Sequence, residues 1–368
     1  GAPRDLHSFP TRRSSDLMLI RAIYSPHQLE EQLLWFWTNH FSIFQRKGNI
    51  ALMLDDYQRT LRPHVLGNFR QLLTAASTHP AMLVYLDNAS NRKGKINENF
   101  ARELMELHTL GVDGGYGQKD VEELARILTG LGVTPLNHLE KMEARPPDGL
   151  QRSGLFQFDP RRHDFGDKIL LGTAVPGQGW QEVEQALDIL ATHPATARHI
   201  AYKLAQYFVA DDPPASVVES CAQVFLNTKG DLRATTMHLL KSPEFAASAN
   251  RKLKSSWQYV ISVARVTHPE NPPARLTNLT GALDILGQLP FHRITPDGYP
   301  MTADAWSSPA QLAQRFEFAK LMVTAGLREK QLSFSELFSS PEQNHEKRKA
   351  SPGAAALHYL SGPQFMYR

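Results

Sequence analysis

The sequence predicts a mainly α-helical protein, a multi-helical globular array with one small β-hairpin near 155–171. Over most of the chain, apolar residues recur at the three- and four-residue spacing that places them on one face of a helix. Serine caps, prolines at first helical positions and terminal glycines mark many helix boundaries. Only two short segments, 155–158 and 168–171, alternate apolar and polar side chains, and the turn-like stretch between them predicts the hairpin.

Composition narrows the class of protein further. The chain has 368 residues, 42% of them hydrophobic, which is enough for a substantial core and about two lobes. Lys and Arg number 40 against 37 Asp and Glu, so we expect no nucleic-acid partner. The single cysteine, Cys221, excludes an intrachain disulfide and lies in an apolar helical stretch typical of a core position. No apolar run approaches the roughly 20 residues of a transmembrane helix.

The first 17 residues differ from the rest of the chain. Arg4–Leu17 reads RDLHSFPTRRSSDL, has no apolar period, and matches the translation of a common short-read sequencing adapter. We interpret 1–17 as an artefactual leader fused to a truncated gene, and we expect it to be disordered and to pack against nothing. The Arg12-Arg13 pair is not interpreted as an export signal, because no long apolar segment follows it.

The stretch 18–135 is predicted to form an N-terminal helical lobe. Its first helix begins at Ser25-Pro26, a capping signature, and runs to about Phe44. Because this helix is apolar on nearly all sides, we expect it to be buried. In chain order, helices are predicted at 25–44, 50–65, 69–77, 80–86, 97–110 and 118–129.

The remaining chain is predicted to form an excursion and a second lobe. Residues 136–180 comprise a Pro-rich, charged segment and the hairpin. Residues 181–368 form a C-terminal helical lobe that packs on the first. Its helices are predicted at 181–191, 194–209, 216–226, 232–240, 254–266, 276–287, 309–327 and 354–360.

The helix 97–110 carries the strongest candidate site. At 100° per residue, Asn99, Glu103 and Glu106 share one polar stripe beside an apolar one. Two neighbouring carboxylates at the border of a core are candidates for acid–base catalysis, because burial and like charge raise one pKa. The alternative is that both glutamates form ion pairs with neighbours. His108 falls on the opposite side of the helical wheel, which argues against a metal site shared with these glutamates.

His40 and Asn39 are consecutive polar residues in the buried first helix. His40 is a candidate general base, with Asn39 as a binding residue; the alternative is a core histidine bonded to a backbone carbonyl or a carboxylate. We expect the stripe of Asn99, Glu103 and Glu106 to face this helix. A glutamate would then accept the imidazole N–H, raising the pKa of the histidine.

Two loops complete the set of candidates. His163 and Asp164 are candidate catalytic residues and Lys168 a candidate binding residue, because the turn HDFGDK is richer in reactive groups than a turn requires. The alternative is that Asp and Gly serve here only as turn formers. Tyr299 and Trp306 belong to an aromatic loop that lines a binding groove or covers an edge of the core.

Several strings together resemble a known family: WTNHF at 37–41, HPAMLVYLDN at 79–88, NENFARELMELHTLG at 97–111, DVEELAR at 120–126, LTG at 128–130 and HDFGDK at 163–168. They are similar to the bacterial family called domain of unknown function 1800, over about Met18–Arg368. The resemblance implies a largely helical fold and no established activity or cofactor. Members are often encoded beside an exported, sulfatase-like protein, which implies an exported location and makes that protein a candidate partner.

Two functional hypotheses follow. The first is a non-catalytic helical binding or assembly partner of a neighbouring exported protein. The alternative is an exported hydrolase or acid–base enzyme, with or without a metal, in which His40, Glu103, Glu106, His163 and Asp164 converge on one pocket. The first is favoured because the sequence contains no recognisable nucleophile or cofactor motif. The sequence assigns no metal ligand and leaves the cofactor open.

Overall fold

The computed structural model describes residues 8–134, 148–332 and 351–368, with side chains from Ser14 onward, and it confirms the mainly α class. The helices of the first half are α1 (Ser8–Tyr24), α2 (Gln28–His40), α3 (Leu54–Leu61), α4 (Phe69–Ser77), α5 (Pro80–Tyr85), α6 (Asn99–Glu106), α7 (Gln118–Ile127) and α8 (Trp180–Thr192). Those of the second half are α9 (Pro194–Phe208), α10 (Ala215–Asn227), α11 (Leu232–Leu240), α12 (Pro243–Ala247), α13 (Ser256–Thr267), α14 (Thr277–Ile285), α15 (Pro309–Arg328), α16 (Pro352–Ser361) and α17 (Pro363–Met366).

The strands are β1 (Leu131–Val133), β2 (Gln151–Ser153), β3 (Phe156–Phe158), β4 (Lys168–Leu170) and β5 (Thr173–Val175). They form two small antiparallel sheets, one in the order β1-β3-β2 and one of β4 with β5. The predicted pairing of 155–158 with 168–171 is therefore wrong. Gly154 and Gly172, both at positive φ, allow a tight turn beside each segment, and closing a short turn costs less entropy than closing the longer connection.

One buried apolar cluster runs from Met18 to Met366. Because it includes residues of both 18–135 and 181–368, the two predicted lobes share a core. Helix α2 lies within it, as expected from its apolar sides: Trp37 is fully buried, and Trp35 stacks on Trp257 of α13 with ring centroids 4.3 Å apart. This aromatic pair joins the first and second halves of the chain.

The expectation of a disordered leader is wrong for residues 8–17. This segment forms the first part of α1, and Ser14 and Ser15 are buried. The reason is that Met18 and Leu19 anchor the helix in the core. A helix that is already nucleated extends by one backbone hydrogen bond per residue, even where the sequence has no apolar period.

Helix α6 is shorter than predicted and ends at Glu106 instead of continuing to residue 110. The hydroxyl of Thr109 donates to the carbonyl of Leu104 at 2.7 Å, and the N–H of Gly111 donates to the carbonyl of Met105 at 3.2 Å. These bonds satisfy carbonyls in the last turn of the helix. His108 consequently leaves the helical wheel and turns into the core, where it is fully buried.

Candidate functional site

An open cavity of about 450 Å³ lies beside the start of α6, under the loop 291–300. We call it the α6 groove. Its lining combines aromatic and aliphatic walls with a few polar side chains, a mixture typical of binding sites. The lining residues are Phe44, Arg46, Lys47, Tyr85, Leu86, Asn99, Glu103, Ile294 and Pro296.

Three contacts fix the loop 291–300 over the groove. The Tyr85 hydroxyl donates to the carbonyl of Ile294 at 2.6 Å. The Asn39 amide donates to the carbonyl of Tyr299 at 2.9 Å and accepts from its N–H at 2.7 Å. Between these points Gly298 has a φ of +73°, and a Cβ there would lie 2.2 Å from the carbonyl oxygen of Asn39. Asn39 thus clamps the loop and does not line the groove.

Glu103 is half-buried in the α6 groove, and Glu106 is half-buried one turn further along α6. In the described part of the chain neither carboxylate has a side-chain hydrogen bond or ion pair, because the adjacent Arg102 pairs with Glu98 at 2.9 Å. Burial raises the pKa of Glu103, and the charge of Glu106 raises it further, while Arg102 lowers it in part. The alternative that both glutamates form ion pairs with their neighbours is therefore wrong for the described residues.

The other polar side chains of the groove differ in whether they already have a hydrogen-bond or ion-pair partner. Lys47 pairs with Asp87 at 2.7 Å. The Asn99 amide donates to the backbone carbonyl that follows α5 at 3.3 Å. Arg46 is exposed and has no ion pair within the described ranges. Among the described residues, the charged groups of the groove that lack an ion-pair partner are therefore Glu103 and Arg46.

His40 is buried, and its partner is a backbone carbonyl, which confirms the alternative of a core histidine and not the expected glutamate contact. Its Nε2 lies 3.1 Å from the carbonyl oxygen of His108, which can only accept, so Nε2 carries the proton. Burial lowers the pKa of His40 well below its ordinary value, and the neighbouring His108 and His199 lower it further. The predicted glutamate partner and the predicted rise in pKa are both wrong, because the turn after α6 brings a backbone carbonyl to the imidazole.

His40, His108 and His199 form a cluster of buried or largely buried imidazoles. The ring of His40 lies 5.6 Å from that of His108 and 6.1 Å from that of His199. Neither ring nitrogen of His108 has a hydrogen-bond partner among the residues described. Burial lowers the pKa of His108 to about 3 and that of His199 to about 4. Within residues 8–134, 148–332 and 351–368, no group of three or more His, Cys, Asp and Glu is arranged to hold a metal ion.

His163 and Lys168 are brought together, but with Glu182, a residue that the sequence analysis did not select. The Glu182 carboxylate lies 3.0 Å from Nε2 of His163, accepts from Nζ of Lys168, and accepts from the N–H of Gly179 at 2.8 Å. All three side chains are fully buried. Burial alone would raise the pKa of Glu182, but these hydrogen bonds lower it overall. The sequence did contain a signal for Glu182. It lies three residues after Gly179, at the capping-box position of α8.

Asp164 does not join that buried group. It pairs with Arg126 at 3.0 Å, and this hydrogen bond lowers the pKa of Asp164 to about 2. Its carboxylate also accepts from the N–H of Gly166 at 2.9 Å, as a turn-forming aspartate does. Neither Asp164 nor His163 lines the α6 groove, so the structure does not bring the five candidate catalytic residues to one pocket.

The two aromatic candidates hold the loop instead of lining the groove. Trp306 is buried, and its indole N–H donates to the carbonyl of Pro300 at 3.0 Å. The Tyr299 hydroxyl donates to the carbonyl of Leu289 at 2.7 Å, and burial raises its pKa. Both side chains therefore fix the backbone on the C-terminal side of the loop 291–300.

Together these features define a mainly helical protein that presents an open, mixed polar and apolar groove on a rigid support. The chain belongs to the family described as a protein of unknown function, DUF1800, whose model matches residues 4–363. Neither the comparison with curated proteins nor that with solved structures gives a match. In the described ranges, every helix is too short or too polar to cross a membrane.

Proposed function

We propose that this protein is a non-catalytic binding partner, and that the α6 groove is where it holds an exported protein encoded beside it. The candidate is the sulfatase-like protein whose gene often neighbours those of the family. The observation that carries the proposal is the groove itself, in which a glutamate without an ion pair among the described residues lies beside apolar walls at the surface.

The walls of the groove are held in place by the fold, which suits the recognition of a binding partner. Glu103 and Asn99 belong to a helix whose apolar side is in the core, and the opposite wall is fixed by the contacts of Tyr85 and Asn39. A site whose geometry is set before binding loses little conformational entropy when a ligand enters. Ile294, which is 71% exposed at the edge of the groove, offers apolar surface for a partner to cover.

In this proposal His40 and His163 are structural residues. Each imidazole is buried and bonded to groups of its own surroundings, the carbonyl of His108 in one case and Glu182 in the other. They join the end of α2 to the turn after α6, and the turn HDFGDK to α8. The exported location is part of the proposal and rests on the family resemblance.

Co-elution with the candidate partner tests the proposal. The full chain and the neighbouring sulfatase-like protein, purified separately, should form a complex on size-exclusion chromatography with light scattering. Ile294→Asp should weaken it by about 10-fold or more, because burying an isoleucine contributes about 1.5–3 kcal/mol. The matched control is Ile285→Asp on α14, which is 67% exposed and does not line the groove. Failure to co-elute at tens of micromolar, or equal effects of both variants, would refute the proposal.

One observation favours the alternative of an exported acid–base hydrolase, with or without a metal. The pKa of Glu103 is raised by burial and by Glu106, as in a general acid. Chromogenic esters, glycosides, phosphate esters and sulfate esters should then be hydrolysed, and Glu103→Gln should lower the rate by about 100-fold or more. Equal rates for the wild type and Glu103→Gln would exclude this role for Glu103.

A further inference from the structure

We infer that the α6 groove recognises a basic side chain, a lysine or arginine on an extended peptide segment, and that Glu103 is its ion-pair partner. The inference rests on the proposed binding function and names the chemistry of what is bound. It is carried by the charges, the walls and the size of the groove.

In the described part of the chain Glu103 has no ion pair, and the groove also contains the exposed cation Arg46. Lys47 pairs with Asp87, and Arg293 of the loop 291–300 pairs with Asp297 at 2.9 Å. Glu103 is thus a partly desolvated carboxylate, and Arg102, the basic side chain whose charge lowers its pKa, pairs with Glu98 at 2.9 Å. Removing a carboxylate from water costs free energy that a well-placed cation offsets. A cationic ligand group is therefore the complement that this position lacks.

The apolar walls of the groove suit the aliphatic stem of a basic side chain. Phe44, Tyr85, Leu86 and Ile294 provide aromatic and aliphatic surface next to Glu103. Lysine and arginine have long aliphatic stems that pack on such surfaces while the charged end reaches a partner. A neutral apolar ligand would cover the same walls but leave the carboxylate desolvated and unpaired, and an anion would pair with Arg46 but be repelled by Glu103.

Two further groups suit the backbone of a peptide. In the described part of the chain, the side-chain oxygen of Asn99 accepts no hydrogen bond, so it is available to a ligand N–H. The guanidinium of Arg46, which is exposed and has no ion pair within the residues the structure describes, is available to a carbonyl or carboxylate. A peptide segment with a basic residue would bind Glu103, Asn99 and Arg46 at once, whereas a simple amine would bind only Glu103.

The size and shape of the groove also fit a chain segment. Its volume of about 450 Å³ is in the range of pockets that hold ligands of several functional groups. It is open to solvent, so a side chain of a peptide segment can enter it.

Selection from a displayed library of random seven-residue peptides tests the inference without knowledge of the natural partner. The immobilised full chain should enrich peptides that carry Lys or Arg at one fixed position. Glu103→Gln should lose this preference. The matched control, Glu317→Gln, changes an exposed glutamate on α15 and should keep it. Thermal melting should show that both variants are folded, since the Glu103 side chain makes no hydrogen bond within the described residues.

A selected peptide then measures how much its basic residue contributes to the binding affinity. Replacing its basic residue by norleucine should weaken binding to the wild type by about 10-fold or more, as expected for a hydrogen bond to a charged group. The same change should alter binding to Glu103→Gln by less than about 2-fold. Absence of any enriched peptide, enrichment without a basic position, or a preference that survives Glu103→Gln would overturn the inference. If the sulfatase-like protein co-elutes in those cases, the binding function still stands.

Discussion

Replacing Glu182 by glutamine should destabilise the protein by about 3–5 kcal/mol, the usual cost of breaking a fully buried ion pair. The carboxylate accepts from Lys168, His163 and the N–H of Gly179. Glutamine can still accept from Gly179, but it carries no charge. The ammonium of Lys168, which is fully buried, would then keep the carbonyl of Asp164 as its one other acceptor in the described part of the chain. The cost arises from this uncompensated charge and not from lost apolar contact.

Urea unfolding followed by circular dichroism measures the effect as a lower free energy of unfolding. Adding Lys168→Met to Glu182→Gln should restore more than about 1 kcal/mol of the free energy of unfolding, because the second change removes the uncompensated charge of Lys168. Glu317→Gln, on the exposed surface of α15, should stay within about 0.5 kcal/mol of the wild type. A loss below about 1 kcal/mol for Glu182→Gln, or a double variant less stable than Glu182→Gln alone, would refute the reasoning.

Three further predictions concern the core and the loop. Stability should fall as the pH drops below 6.5, because burial lowers the pKa of His108 to about 3 and that of His199 to about 4, so the unfolded chain takes up protons that the folded chain does not. At pH 5 this amounts to about 2 kcal/mol for His108, and His108→Leu should flatten the pH dependence of the urea midpoint. Gly298→Ala should lower the melting temperature, at a cost of about 1–3 kcal/mol for the strained φ and the blocked Cβ. Gly281→Ala, in a helix with open space around it, should leave the melting temperature equal or higher. Burial raises the pKa of Cys221 to about 11, so Ellman's reagent should react with it at pH 8 only after unfolding, and fast labelling of the native protein would contradict this burial.

Local patterns in the sequence determined the helical class and many helix ends. The side chains of Ser255, Ser308 and Ser351 each cap the helix that follows them. The predicted cap at Ser25 is wrong, because α2 begins at Gln28 after His27 and ends at His40, before the predicted Phe44. The apolar period of α2 was enough to predict its burial, because a helix that is apolar on nearly all sides has no face left for water. Glu103, found as a carboxylate beside an apolar stripe, does line the open groove.

Tertiary structure decided which groups meet. The acceptor of His40 is a carbonyl in the turn after α6, and its position depends on where that helix stops. The partner of His163 and Lys168 is Glu182, on a helix that follows them in the chain. The groove exists only because Tyr85 and Asn39 hold a loop that lies more than 200 residues further along the chain. Periodicity reports the face on which a side chain lies, but hydrogen bonds and ion pairs depend on distances of about 3 Å between segments, which only the packing of the whole chain sets.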